Sequence, residues 1–398
     1  MLKYKKGEKK MFTINGKYSE IKIHTIAETL EESVEKQLND IVDQKWTEGT
    51  KIEIMPDFHS GKGSVIGTTI KLNGKADPMT VGVDIGCAVS AVKITEKNFD
   101  PEKLENIIEE YIPSGINIGT IEHIFPSIDD LITPINRHRE LMALGSLGGG
   151  NHFIEIDRDS SDNLWLIVHC GSRHLGLAVA QWHKKQMPKI NKKMQVEKII
   201  KELKNQGRER EIEQAIKAIK TVEYPSDYLK DESFERYIHD MQIAQAYSEE
   251  NHHIIEDIIM SKMGWHMEDR IMTMHNYIDT ENMILRKGAV SAQKGERFLC
   301  PMNMRDGTLL CIGKGNEDWN YSAPHGAGRI MSRKQAKDNI TQEQFSETMN
   351  GIWSASVCES TIDESPFAYK PMYEIVSAIE ETADVIDIMK PVFNFKAH

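Results

Sequence analysis

Paired cysteines are missing from this chain. Its five cysteines, Cys87, Cys170, Cys300, Cys311 and Cys358, are scattered, odd in number and never spaced as CxxC. That pattern excludes a disulfide framework and a zinc ribbon, so a cysteine with a chemical role acts here as a thiolate. Long apolar runs are missing as well. The opening MLKYKKGEKKMF is basic but leads into no stretch of signal-peptide length, and no later run approaches the span of a bilayer. The expectation is a cytoplasmic chain with no membrane partner. Internal repeats, low-complexity tracts and Pro/Gly/Ser linkers are absent too, which argues against a solenoid or beads joined by tethers.

An excess of positive charge is the last absence. The net charge of −12 rules out a protein that coats nucleic acid by bulk electrostatics, because phosphate binding needs Lys and Arg in local excess. One local excess does exist. From Lys184 to Lys220 there are 12 Lys or Arg against 5 Glu and no Asp. A solvated helical face and an RNA-facing ridge explain it equally well. What the chain does have is the balance of a folded protein, 39% hydrophobic and 28% charged over 398 residues.

Residues 11 to 25 alternate polar and apolar around a glycine, as a β-hairpin does, and Glu28 to Trp46 repeats apolar residues at helical spacing. Short apolar runs split by Gly-rich turns follow from Lys51 to Ile94 and read as strands. Helices are expected over 101–111 and 127–142, then two buried strands in GSLGGGNHFIEID and NLWLIVHC. Helical patterning dominates from His174 to about Met263, with breaks at Gly207 and Pro225, and strands resume near Tyr277. A helix is expected after HGAGR, and the tail ends in the apolar VIDIMKPVFNF. The fold expected is α/β of the α+β type, with largely antiparallel sheets flanked by helices. It is taken as one domain over 1–398 with a helical insertion at about 176–264; a two-domain split is the second choice.

Five short segments carry chemistry. In VGVDIGCAV, Asp84 and Cys87 sit three apart in a Gly-flanked turn, close enough to reach one metal ion, although a capping Asp beside a buried Cys would look the same. In GGGNHFIEI, glycines expose backbone amides and Asn151, His152, Phe153 and Glu155 follow. Strand alternation puts His152 with Ile154 on one face and Asn151, Phe153 and Glu155 on the other; a structural hairpin with a satisfied core histidine is the plainer alternative. LWLIVHCGSRHLG presents His169 at a strand end, with Cys170 on the opposite side as packing and Arg173 able to grip a phosphate. MHNYID offers His275 and Asn276 after a helical stretch. SAPHGAGR places His325 before a Gly-Ala-Gly turn that would lead into a helix, a cradle for phosphate beside an imidazole able to attack phosphorus.

The remaining histidines read as packing or surface. His252 and His253 are adjacent on an expected helix and point apart, and His183, His239 and His266 lack partners at ligand spacing. His59, in MPDFHSGKG beside Asp57 and Lys62, reads as part of a loop near the site rather than as a ligand.

Taken in order, MPDFHSGKG, VGVDIGC, LGGGNHFIEI, VHCGSR, HNY, RKGA and HGAGR closely resemble the RtcB family of RNA ligases, from about Met55 to Arg329. The resemblance implies two Mn²⁺ ions held by Asp84, Cys87, His152, His169 and His275. Ligand softness alone would suit zinc as well, so manganese rests on the resemblance. It further implies that His325 attacks GTP to form a histidine–GMP phosphoramidate. The guanylate pocket would be formed by Asn151, His152, Phe153, Glu155, Asn276, Gly326, Ala327, Gly328 and Lys396. The GMP would pass to an RNA 3′-phosphate, itself opened from a 2′,3′-cyclic phosphate, and a 5′-hydroxyl end would then attack and release GMP.

Two segments depart from the family. CPMNMRDGTL stands where a Gly-Ser-Met loop is common, so Pro301, Met302, Asn303, Met304 and Thr308 are placed against guanylate by position only. The chain ends FKAH where Lys-Gly is usual, which moves Lys396 relative to the end. Its length is below that of archaeal or animal members and reads as bacterial. The implied partners are cleaved tRNA or rRNA, with an archease or a release-factor-like protein as a candidate helper, and a monomer is expected. A cyclic phosphoesterase that does not ligate, and an RNA-binding sensor paralogue, are the competing readings.

Overall fold

The computed structural model describes residues 10–187, 200, 201, 203–221 and 228–397. Pro225 and much of the basic run from 184 to 220 lie outside the described residues. The strands are β1 (Lys10–Asn15), β2 (Glu20–Thr25), β3 (Lys51–His59), β4 (Ile66–Lys71), β5 (Lys75–Ala76), β6 (Ala88–Ile94), β7 (Phe153–Arg158), β8 (Leu164–Cys170), β9 (Leu229–Lys230), β10 (Met267–Met274), β11 (Asn276–Asp279), β12 (Ile284–Lys287), β13 (Ala289–Ser291), β14 (Arg297–Asn303), β15 (Gly307–Gly313), β16 (Ser322–Pro324) and β17 (Ala383–Phe395).

Two large sheets form from them, ordered β1-β2-β3-β4-β12-β11 and β10-β6-β8-β7-β17-β15-β14. The pair β2–β3 is parallel, and the other pairs within these sheets are antiparallel. The mixed, largely antiparallel α/β architecture read from the sequence is therefore what the chain adopts.

In the second sheet, period-2 alternation decides what each residue faces. On β8, Leu164, Leu166, Val168 and Cys170 face a core shared with Ile154 and Ile156 of β7 and with helix Pro101–Tyr111. Trp165 and Ile167 face the other way, into an inner core with Val89, Phe153, Leu299 and Met389. The sheet curls until its edges meet: Leu299 N–H donates to Thr273 Oγ1 at 3.0 Å, and Arg297 pairs with Asp269 at 2.5 Å. His169 belongs by parity to this inner face. Pro391, which cannot donate to a ladder, sits where β17 bulges against β7.

The long helix Asp231–Met263 joins the two sheets. Its buried positions recur every three or four residues. Phe234, Tyr237, Met241 and Tyr247 pack with Ile21, Ile52 and Ile70 of the first sheet, while Ile255 and Ile259 pack under the second. Gly264, at φ 73°, ends it.

Two local expectations need correction. The stretch 127–142 is a 3₁₀ turn, Pro126–Asp130, and a separate helix, Arg137–Ala143, capped by Asn136. Pro134 between them cannot continue a helix. Strands resume at Met267 rather than near Tyr277, so His275 follows a strand and not a helical stretch. The charged MEDR start of β10 hides it, since only Ile271 and Thr273 are buried.

Candidate functional site

The end of β8, the turn before β6 and the turn before β7 converge. Cys87 Sγ lies 3.5 Å from His152 Nε2 and 3.4 Å from His169 Nε2. These three buried side chains present ligand atoms within 4.8 Å of one another. Asp84 Oδ2 lies 3.2 Å from His152 Nε2. Gly171 makes room for Asp84, since a Cβ there would stand 2.4 Å from its Oδ1. The His169 Nδ1 proton donates to the Asn151 carbonyl at 3.2 Å, which leaves Nε2 unprotonated toward the thiol.

His275 extends this group, its backbone N–H donating to Cys87 O at 2.9 Å. The rings then run in a row, His152 to His169 at 5.0 Å, His169 to His275 at 5.2 Å and His275 to His325 at 4.9 Å between centroids. Burial pushes His169 and His275 well below the ordinary imidazole value, and neighbouring histidines add to it. Burial also raises the Cys87 thiol well above its usual value, with the Asp84 charge acting the same way. Burial works to raise Asp84 too, but its hydrogen bond and charge interaction with His152 hold it below the usual carboxylate range. The neutral imidazoles of His169 and His275, a carboxylate and a displaceable thiol proton suit a divalent cation, and the convergence of Cys87, His152 and His169 supplies the geometry.

His325 follows β16. Its ring Nδ1 and its backbone N–H both donate to Asp57 Oδ2, at 2.6 Å and 3.2 Å. A carboxylate can only accept, so Nδ1 carries the proton, and in the neutral ring the lone pair is on Nε2. Asp57 is fully buried on β3, and among the described residues its Oδ1 has no hydrogen-bond partner. Gly328, at φ +73°, packs so closely that a Cβ would sit 2.1 Å from Asp57 O. Lys370 ties the two loops together. Its backbone N–H donates to Gly328 O at 2.9 Å, and its Nζ to Pro56 O at 2.8 Å and Phe58 O at 3.0 Å. In the sequence Asp57 stands out only as a neighbour of His59, and Lys370 does not stand out at all. No spacing rule connects positions so far apart in the chain.

A cavity of about 780 Å³ opens beside these histidines. The structure brings Asn151, Phe153, Glu155, Thr308 and Lys396 into its wall. Pro301, Met302, Asn303 and Met304 line it too, as do His169, His275, His325, Gly326, Ala327 and Gly328. Phe153 and Glu155 share the inner face, as alternation requires. His152 departs from that scheme because β7 begins after it, and its turn swings the ring to the thiol. Asn276 is committed to backbone: its Nδ2 donates to Asp84 O at 3.2 Å and its Oδ1 accepts from Gly288 N–H at 2.9 Å.

At the inner end, Lys396 Nζ lies 3.1 Å from Glu364 Oε2, and Asn394 Nδ2 donates to Glu155 at 2.8 Å. Burial raises the Glu155 carboxyl to about 7 against the pull of neighbours that include Asn394 and Lys396.

Other candidates are spent elsewhere. Arg173 donates to Ser146 Oγ and Gly115 O, bracing the glycine loop instead of facing an open phosphate site. The helix after HGAGR begins only at Arg333, capped by Ser332, so its N-terminus does not point from the Gly-Ala-Gly turn as expected. His252 is a core residue with its ring between Ser248 O and Ala88 O, and His183 pairs with buried Asp240 at 2.9 Å.

Comparison with known proteins places this geometry in context. The family model described as tRNA-splicing ligase RtcB matches residues 37–132 and 129–397. The RNA-splicing ligase RtcB of Escherichia coli is 30% identical over 377 residues, covering 86% of this chain and 88% of that protein. The tRNA-splicing ligase RtcB of Aeropyrum pernix is 25% identical over 407 residues, covering 80% and 81%.

Proposed function

The chain belongs to the RtcB family, and on that premise we propose that it is a GTP- and Mn²⁺-dependent RNA ligase, joining 3′-phosphate or 2′,3′-cyclic phosphate ends to 5′-hydroxyl ends. The observation that carries the reading is His325, whose Nδ1 is held by Asp57 so that Nε2 carries the lone pair of the neutral ring, and which lines the cavity beside His275. That nitrogen would attack the α-phosphorus of GTP. Pyrophosphate would leave, and the Nδ1 proton would stay on the bond to Asp57, so that the carboxylate offsets the charge gained by the ring. The GMP would next pass to an RNA 3′-phosphate, freeing His325, and attack by the 5′-hydroxyl would release GMP.

Asp84, Cys87, His152, His169 and His275 would hold the metal, which when bound would neutralise charge building on phosphate oxygens. Glu155, Thr308 and Lys396 would receive the nucleotide at the inner end, with Pro301 to Met304 beside them. The Gly326-Ala327-Gly328 turn would lie along its phosphates. In this reading residues 1–398 act as one catalytic domain, working in the cytoplasm, with the helices between β8 and β10 as an insertion. Among the described residues no helix is long and apolar enough to cross a membrane.

The test is incubation with Mn²⁺ and α-labelled GTP, for wild type and His325→Ala. An acid-labile, alkali-stable label on the wild type alone is expected. Absence of label with metal bound, or label retained by the variant, would overturn the reading.

A further inference from the structure

Among the described residues four histidines line the cavity, His59, His169, His275 and His325. Three have roles above, and His59 has none. It is the last residue of β3, and its Nδ1 lies 3.0 Å from the carbonyl oxygen of Asp57. A carbonyl can only accept, so the proton sits on Nδ1 and the lone pair on Nε2. Among the described residues no hydrogen bond engages that Nε2. Asp57 therefore fixes two imidazoles, His325 through its carboxylate and His59 through its carbonyl. Burial lowers the His59 imidazole to about 4, with His325 and Lys370 acting in the same sense against its hydrogen bond, so the ring is neutral at neutral pH.

A neutral ring offering a lone pair cannot stabilise an anion. It can accept a proton. In the reaction sequence proposed above, His325 attacks through a lone pair and the RNA 3′-phosphate through an anionic oxygen, so neither step strips a proton from its nucleophile. Attack by the 5′-hydroxyl does, as does attack by the water that opens a 2′,3′-cyclic phosphate, a step that an RNA already ending in a 3′-phosphate does not need. Position agrees with attack by the 5′-hydroxyl. His59, Ser60, Gly61 and Lys62 form the cavity wall supplied by the first sheet, whereas Phe153, Glu155 and Thr308 belong to the wall supplied by the second. In phosphoryl transfer the entering and leaving oxygens stand on opposite sides of phosphorus. With GMP leaving toward the second-sheet wall, the hydroxyl enters from the side of His59.

We propose that His59 is a second catalytic histidine, the base that accepts the proton of the RNA 5′-hydroxyl in the sealing step. The O5′–phosphorus bond forms as the hydroxyl proton passes to His59 Nε2. The bond from that phosphorus to the GMP oxygen breaks, GMP departs with the electron pair, and the imidazolium returns its proton to solvent. The inference rests on the ligase reading and adds the residue that serves its last step.

The test separates the steps. For His59→Asn, whose amide can keep the bond to the Asp57 carbonyl, single-turnover guanylylation is read with α-labelled GTP, and sealing with a pre-activated RNA-ppG strand and a 5′-hydroxyl strand. Guanylylation within about twofold of wild type and sealing slower by about a hundredfold are expected, the range of general-base catalysis. An acceptor strand ending in a 5′-thiol, whose proton is lost without a strong base, should restore sealing by the variant. Sealing at the wild-type rate, guanylylation falling in parallel with sealing, or a deficit that the thiol leaves in place would each overturn the proposal. Thermal melting matched to wild type qualifies the variant, and His59→Gln takes its place if it melts low. A wild type that takes no label at all would instead overturn the ligase reading.

Discussion

Asp57 grips His325 at two points, its Oδ2 accepting from the ring Nδ1 at 2.6 Å and from the backbone N–H at 3.2 Å. One carboxylate oxygen thereby fixes both the position of the residue and the tautomer of its ring. The carboxylate is itself fully buried, so its charge acts with little solvent screening.

Replacing that charge while keeping the shape should separate orientation from packing. In Asp57→Asn the side-chain amide can donate to Nδ1, which moves the ring proton to Nε2 and removes the attacking lone pair. Guanylylation is expected to fall by about 10²–10⁴-fold, as when a catalytic histidine is held in the wrong tautomer. GTP binding, read by calorimetry, should change little. A variant that takes label at the wild-type rate would show that Asp57 is not needed to set the tautomer.

Glu155 allows a prediction about stability and pH. Its folded value of about 7 lies above the usual carboxylate value because of burial. A raised acid contributes stability that is fully present below the unfolded value near 4.5 and is lost as pH rises through about 7. Glu155→Gln, neutral at every pH, should therefore melt higher than wild type at pH 8, where Glu155 and the buried Asp157 beside it would otherwise both be pressed to ionise. The gap should close by pH 5. A gap of equal size at both pH values would show that ionisation of Glu155 is not its source.

The metal-type residues were legible because cysteine, histidine and aspartate in Gly-flanked turns are chemically conspicuous, and Asp84, Cys87, His152 and His169 do meet. The buried strands β6, β7 and β8 were legible for the same kind of reason, as unbroken apolar runs. What sequence could not convey was pairing across the chain. Nothing near Asp57 announces His325, 268 residues away. His152 was assigned to a strand face by alternation, yet the strand begins one residue later. β10 carries little signal because its first half is charged and only Ile271 and Thr273 of its second half are buried.

Lys370 shows the same long-range logic in a residue that does not line the cavity. Its ammonium holds the carbonyls on either side of Asp57, and its backbone N–H holds the loop of His325. Lys370→Met keeps the length of the stem and removes the donors. The two loops should then lose register, slowing guanylylation about tenfold or more, since small displacements of reacting groups are costly. The KM for GTP should stay near the wild-type value, because the inner end of the cavity is untouched. A rise in KM with an unchanged maximal rate would assign Lys370 to nucleotide binding instead.

Cys87 lies between two imidazole nitrogens, and its protonation state dictates how metal affinity responds to pH. Burial holds its thiol proton on near neutral pH, while His169 and His275 are already neutral and Asp84 is already ionised. Of these four groups only the thiol must give up a proton to a divalent ion. Mn²⁺ binding should accordingly release about one proton per ion at the thiolate, and affinity should rise about tenfold per pH unit between pH 6.5 and 8. In Cys87→Ser the pH dependence should flatten and binding should weaken. Calorimetry in two buffers of different ionisation enthalpy measures the protons released. A wild type that releases none would mean the ion is held without the thiolate, and Cys87 would then count as packing beside the two histidines.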